Sequence, residues 1–170
     1  MTETPAKTAT DFTLPPNVVS KVDLARMVND FERVDGELTD ASIRAGGATV
    51  PLPPLSEQLE QFLTLNKLEV TDERTRTELI KQLRSLKDVV PIIHMTFAVP
   101  ADRESLQELA QWLRSSVHPH AVIGVGLQPA LVAGVYVRTP NHVHDLSIRG
   151  KLESSRSVLV QELEALRGTK

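Results

Sequence analysis

The sequence predicts an α+β fold: a helical N-terminal half, then a small mixed β-sheet in the order β-α-β-β-β-α, covered by helices. Up to about residue 88, apolar side chains recur at spacings of three and four, the helical period. From 89 onward they gather into short alternating runs separated by Gly, Pro and Asn, the pattern of strands and turns. Aromatic residues are only 4% of a chain that is 41% apolar. The core must therefore be Leu, Val and Ile, which suits helices on a small sheet better than an all-β sandwich. A length of 170 residues fits one domain or two small ones.

Residues 1–16, MTETPAKTATDFTLPP, are Thr- and Pro-rich and are expected to form a flexible leader. They have neither the apolar core nor the cleavage-like end of a signal peptide. A helical region spans 17–88. Its first helix is expected over 18–43, where Leu24, Met27, Phe31, Val34, Leu38 and Ala41 form a heptad-like stripe, with Gly36 as a weak point inside it. That stripe has two uses: packing on its own domain, or self-association by pairing with a second copy. GGATVPLPP, 46–54, is a Pro-rich break. Short helices follow over 55–64 and 72–87. The second opens on Thr71, Asp72 and Glu73, an acidic first turn, and carries Leu79, Ile80, Leu83 and Leu86 as its buried stripe.

Residues 89–170 are expected to form the α/β domain. VVPIIHMTFAVP, 89–100, is a strand with Ile93, Met95, Phe97 and Val99 on one face. Asp102 caps a helix to about 116, with Leu106, Leu109, Leu113 and Val117 in line. Strands follow over 120–127, 132–138 and 142–146, with the turn Thr139-Pro140-Asn141 between the last two. Ser147 caps a final helix to about 166, with Ile148, Leu152, Leu159, Leu163 and Leu166 on its inner face.

Several function classes are disfavoured. A net charge of −3 argues against general nucleic-acid affinity. Cysteine is absent, which removes disulfides, thiolate catalysis and Cys-ligated zinc and suits a reducing cytoplasm. No run approaches the ~18–20 apolar residues needed to span a bilayer, so no direct membrane insertion is expected. GVGLQP, 124–129, leads into a turn rather than a long helix, so it is no phosphate loop. Neither GxSxG nor HExxH occurs. No catalytic residue, cofactor or enzymatic activity is expected.

The histidines are the strongest chemical signal. His118 and His120 flank Pro119, and His142 and His144 share one face of the last strand. If the last three strands lie side by side in sequence order, both pairs reach the same end of the sheet, with Asp145 nearby. Two strands over is ~9–10 Å of backbone, wide for one ion. Ordinary polar residues at a strand rim explain them more simply, and no bound metal is expected. His94, alone in an apolar strand, reads as a hydrogen-bonded core histidine. Trp112 lies on the shoulder of its helical stripe, either part-buried or a partner-contact aromatic.

The stretch ALVAGVYVRTPNHVHDLSIRGKLESSRSVL, 130–159, resembles the C-terminal domain of the delta subunit of rotary ATP synthase, whose mitochondrial counterpart is the oligomycin-sensitivity-conferring protein. That family has a small residue and a Gly opening a hydrophobic strand, then a basic residue, a tight turn and a short strand with Asp. A Ser and an Arg- or Lys-Gly at a terminal helix follow. The matching positions are Ala133, Gly134, Val135, Val137, Arg138, Asp145, Ser147, Arg149, Gly150 and Leu152. The resemblance runs from 91 to about 166. It departs at Thr139-Pro140-Asn141, where the family has a Gly-containing turn, and at Leu146, where it has Gly. The family also carries six N-terminal helices, whereas 17–88 offers about three.

The resemblance implies a non-catalytic peripheral-stalk (stator) protein. It would bind the far ends of the ATP synthase b-subunit helices and link them to the catalytic head, with the alpha subunit as a further partner. It would be cytoplasmic, held at the membrane through the complex, and would serve ATP synthesis and proton transport without performing chemistry. The motif residues then read as architecture. Gly134 removes a Cβ where something packs on the strand, Ser147 caps the helix, Gly150 permits close approach of helix to sheet, and Asp145 can pair with Arg149 or favour the positive helix end. The alternatives are a homo-oligomeric scaffold that pairs through 18–43, and a metal-binding protein using the His pairs.

Overall fold

In the computed structural model, residues 12–45, 50–139 and 141–167 are described. They contain helices α1 (Lys21–Ala45), α2 (Glu57–Asn66), α3 (Glu73–Val89), α4 (Arg103–Ser116) and α5 (Ile148–Arg167). The strands are β1 (Ile92–Phe97), β2 (Val122–Leu127), β3 (Val135–Arg138) and β4 (Val143–Asp145), with a 3-10 turn at Pro129–Leu131. The result is an α+β protein. The chain divides into two units, residues up to Pro91 together with Glu104–Val122, and Ile92–Arg103 together with the residues from Ile123 onward.

In the helical unit, α1 buries Leu24, Met27, Val28, Phe31, Val34 and Leu38 and packs on α3 and α2. Those helices contribute Leu79, Ile80, Leu83 and Leu86, and Leu59, Phe62 and Leu63. Ion pairs tie α3 to α1: Arg76 Nε to Asp35 Oδ1 at 2.6 Å and Arg84 Nε to Glu32 Oε1 at 2.7 Å. The stripe of 18–43 is thus covered by the chain's own helices. Six buried side chains at about 1.5–3 kcal/mol each make withdrawing that face for a second copy cost on the order of 10 kcal/mol. Self-association through 18–43 is therefore corrected to internal packing.

Helix ends follow their caps. Ser56 Oγ accepts from Leu59 N at 3.3 Å and starts α2 at Glu57, past Pro53 and Pro54. Asp72 Oδ2 accepts from Thr75 N at 3.0 Å and starts α3. Residues 46–49 of the Pro-rich break lie outside the described residues, and 50–56 form neither helix nor strand.

The leader is also corrected. Phe12, Leu14, Val18 and Val19 are buried, and Phe12 meets Phe62 edge-on at 5.5 Å. Thr13 pairs through its N–H and C=O with the Asn66 amide at 2.8 and 2.9 Å. His120 Nε2–H donates to Phe12 O at 2.7 Å. A Thr- and Pro-rich average conceals two apolar side chains at alternate positions, Phe12 and Leu14, which dock once partners satisfy the backbone between them. Residues 1–11 of the expected leader lie outside the described residues.

The sheet has the order β2-β1-β3-β4. β1 pairs antiparallel with β3 through His94↔Arg138, Met95↔Val137, Thr96↔Tyr136 and Phe97↔Val135. β3 pairs antiparallel with β4 through Tyr136↔Asp145, Val137↔His144 and Arg138↔Val143. Val122 N donates to Pro91 O at 3.1 Å and Gln128 N to Phe97 O at 2.8 Å, so β2 runs parallel to β1. Ile93 and Met95 are buried as expected, but β1 ends at Phe97, and Ala98 rather than Val99 is buried. α4 buries Ala110 and Leu113 and leaves Val117 exposed.

The inner face expected for the last helix is overturned. Ile148, Leu152, Leu159 and Leu163 are 47%, 60%, 55% and 64% exposed, and Leu166 lies outside the described side chains. Periodicity marks an apolar stripe but carries no information about what covers it.

Candidate functional site: the root and face of the last helix

The dense stretch 131–153 forms a knot that fixes the start of α5. Gly134 has φ +94, a region that disfavours side chains, and a Cβ there would lie 2.5 Å from Leu146 O and 2.9 Å from Ser147 Cα. Around it, Ala98 N donates to Gly134 O at 3.3 Å, Leu146 N to Val135 O at 3.0 Å and Ile148 N to Ala133 O at 2.9 Å. The entry to β3 and the entry to α5 are therefore laced backbone to backbone. Leu146, standing where the resembled family has Gly, presents its carbonyl to Gly134 and its side chain outward.

Ser147 is fully buried. Its Oγ accepts from Gly150 N at 3.0 Å and its carbonyl from Lys151 N at 3.2 Å. Its own N–H donates to Asp145 Oδ1 at 2.9 Å. The Ser147 hydroxyl and N–H together hold the Asp145 carboxyl below the usual aspartate range, with a smaller contribution from the Arg149 charge. A Cβ on Gly150 would fall 2.6 Å from Asp145 Oδ2. The close approach expected between Gly150 and the sheet is thus an approach to the Asp145 carboxylate, lying over the positive end of α5. Of the two roles open to Asp145, the carboxylate takes the helix end rather than the pair with Arg149, whose Nε bonds Glu153 Oε1 at 3.0 Å, one turn along.

Thr139 closes the β3–β4 turn. Its N–H and Oγ1 donate to His142 O at 2.8 and 3.1 Å, and its Oγ1 accepts from His142 N at 3.0 Å. Pro140 lies outside the described residues. Arg138 ends β3 with its side chain exposed, and Leu152 lies on the open face of α5.

The two histidine pairs do not come together in the way a shared ion needs. β1 separates β2 from β3, so β2 and β4 are three strand spacings apart, about 14 Å. His120 is buried, with Nε2 committed to Phe12 O, and its backbone N–H donates to His118 Nδ1 at 3.1 Å. His142 and His144 do share a face, with ring centroids 6.2 Å apart. Among the described residues, no three His, Asp or Glu side chains are grouped to hold a metal ion. His94, expected in the core, is exposed on β1 beside Gly124. Trp112 is 58% exposed on α4. Sequence reasoning missed Arg114 and Asn66, two of the side chains that, with His120 and Gln58, clamp residues 12–18. Each is a hydrogen-bonding residue beside an apolar one (Leu113, Leu65), a faint signal.

The class defined here is a small α+β protein in which a polar cluster at Asp145 and Ser147 roots an open amphipathic helix. Residues 75–159 match the family model for the ATP synthase delta (OSCP) subunit. Over 121 residues the chain is 31% identical to the ATP synthase subunit delta of Polaromonas naphthalenivorans (strain CJ2). That alignment covers 68% of this chain and 66% of the relative, just under two thirds of its length. The chain belongs to the ATP synthase delta (OSCP) subunit family.

Proposed function

We propose that the chain is a non-catalytic peripheral-stalk (stator) subunit of a rotary ATP synthase, binding the ends of the b-subunit helices and linking them to the catalytic head. The observation that carries this reading is the open stripe of α5. Ile148, Leu152, Leu159 and Leu163, spaced four, seven and four, stand on one face of a 20-residue helix and are all exposed. A helix of that length offers about 30 Å of continuous contact to a partner helix. A stator resists torque, so it needs an extended, firmly rooted contact and no chemistry. The knot at Gly134, Asp145 and Ser147 supplies the root. Contact with the head, including the alpha subunit, would fall to the helical unit. The protein would work on the cytoplasmic side, held at the membrane by the complex. Among the described residues, no helix is long and apolar enough to cross a membrane.

The test is calorimetric titration with a synthetic C-terminal segment of the host's b subunit. Leu152→Glu and Leu159→Glu should each weaken binding at least tenfold. Both sites are exposed, so stability should stay within about 0.5 kcal/mol of the parent. Unchanged affinity in both variants, or no binding by the folded parent, would overturn the reading.

A further inference from the structure

A cleft of about 380 Å³ opens on the helical unit, with Leu14, Pro16, Leu65 and Pro119 among its walls and Arg114 and Ser115 at its edge. No acidic residue lines it among the described residues. Arg114 is a half-buried cation with an unusual set of partners, all of them backbone carbonyls. Nε donates to Ala121 O at 3.2 Å, Nη1 to Leu14 O at 3.4 Å and Pro15 O at 2.9 Å, and Nη2 to Val18 O. A guanidinium has five N–H groups. Four are used, and the fifth, on Nη2, has no partner among the described residues. The buried Arg76 is matched by Asp35 at 2.6 Å. Among the described residues, Arg114 has no such counter-ion. Burial lowers its pKa to about 10, which leaves it charged at neutral pH.

A desolvated cation with a spare donor, at the edge of an apolar cleft, is complementary to an anion carried on a hydrocarbon group. A carboxylate fits a single free N–H at the rim, and the apolar walls fit a short chain or ring behind it. The volume is that of a small-ligand site, whereas a stable protein interface needs about 800 Å² from each partner. We propose that this cleft binds a small apolar monocarboxylate, its carboxylate on the free Nη2–H of Arg114 and its hydrocarbon part against Leu14, Pro16 and Leu65. The same guanidinium clasps residues 14–18, so occupancy would also tighten that segment onto α4.

Amide shifts of the full chain, followed by NMR during titration with octanoate, test this. Octanol and octylamine serve as the neutral and cationic controls. Saturable shifts are expected at the Leu65, Gln111 and Ser115 amides, with octanol at least tenfold weaker and octylamine inert there. Arg114 also holds the fold together, so the deciding variant is Ser115→Trp, which fills the mouth from an exposed position. It should abolish the octanoate shifts and leave the melting temperature within about 2 °C, since exposed substitutions are close to neutral. Absence of saturable shifts at those amides, equal binding of octanol, or undiminished binding by Ser115→Trp would each overturn the proposal.

Discussion

Alanine at Gly134 should be among the most damaging small substitutions in the chain. A side chain at φ +94 is strained, at about 1–3 kcal/mol for a residue held in such a region. The added Cβ would stand 2.5 Å from Leu146 O and 2.9 Å from Ser147 Cα, both backbone atoms that no rotamer change can clear. Relief requires the β4–α5 connection to move. That strains the bonds from Leu146 N to Val135 O and from Ile148 N to Ala133 O, 3.0 and 2.9 Å. Losing one of them inside the fold costs about 1–3 kcal/mol. Stiffening the unfolded chain returns about 0.4–1 kcal/mol. The net loss is about 1–6 kcal/mol, which lowers Tm by roughly 2–24 °C in a chain of this size. Two other glycines calibrate the result. Gly36 lies in α1 with nothing within 4 Å of a Cβ, so Gly36→Ala should gain up to about 1 kcal/mol from helix propensity. At Gly150 the obstacle is only the Asp145 carboxylate, 2.6 Å away. There the propensity gain and the disturbed cap should nearly cancel, to within about 1 kcal/mol. Thermal melts by circular dichroism, with amide exchange at Leu146 and Ile148, measure all three. A Gly134→Ala protein that melts within 1 °C of the parent and keeps those amides protected would refute the account of the knot.

Arg76→Met should cost about 3–5 kcal/mol in a denaturant titration, because it strips a buried partner from Asp35 and two donors from the Val70 and Thr71 carbonyls. The Asp145 carboxyl is depressed in the folded state, so its contribution is full above the ordinary value of 3.8 and is lost as pH falls through the lower folded value. An NMR titration should therefore find its midpoint below 3.8, and Ser147→Ala should move it back up. The Asn17 amide is buried, and among the described residues neither Oδ1 nor Nδ2 has a hydrogen-bond partner. Asn17→Leu should be neutral or stabilising by up to about 2 kcal/mol in a thermal melt, and a clear loss would mean that the amide has an unseen polar partner.

The parts of the fold legible in the sequence are those decided within a few residues. Asp72 and Ser147 stop the chain from entering a helix earlier because their side chains satisfy free N–H groups three residues on. The α1 stripe and the alternation of Ile93 and Met95 mark buried faces by period alone. Strand order was not legible. The histidine pairs could meet only if the last three strands lay side by side in sequence order, yet β1 lies between β2 and β3. Which edge a strand chooses depends on pairings far apart in sequence, and no local pattern encodes it. The site suffered the same division. Gly134 was visible as a special residue, but the partner that makes it so, Leu146 O, meets it only in the folded chain.

Helices α1 and α5 show why an apolar stripe alone does not assign a function. Both carry heptad-like spacing, and neither announces a partner. α1 meets α2 and α3, whose own stripes match it, and its six large side chains disappear. α5 has four exposed counterparts. Burying those four would yield about 6–12 kcal/mol at 1.5–3 kcal/mol each. Association costs about 4–15 kcal/mol in lost freedom before any affinity appears. The stripe by itself therefore supports weak binding at best. A stator joint that withstands torque must draw on surface beyond α5 as well, which makes the helix the seam of the proposed b-subunit contact rather than the whole of it.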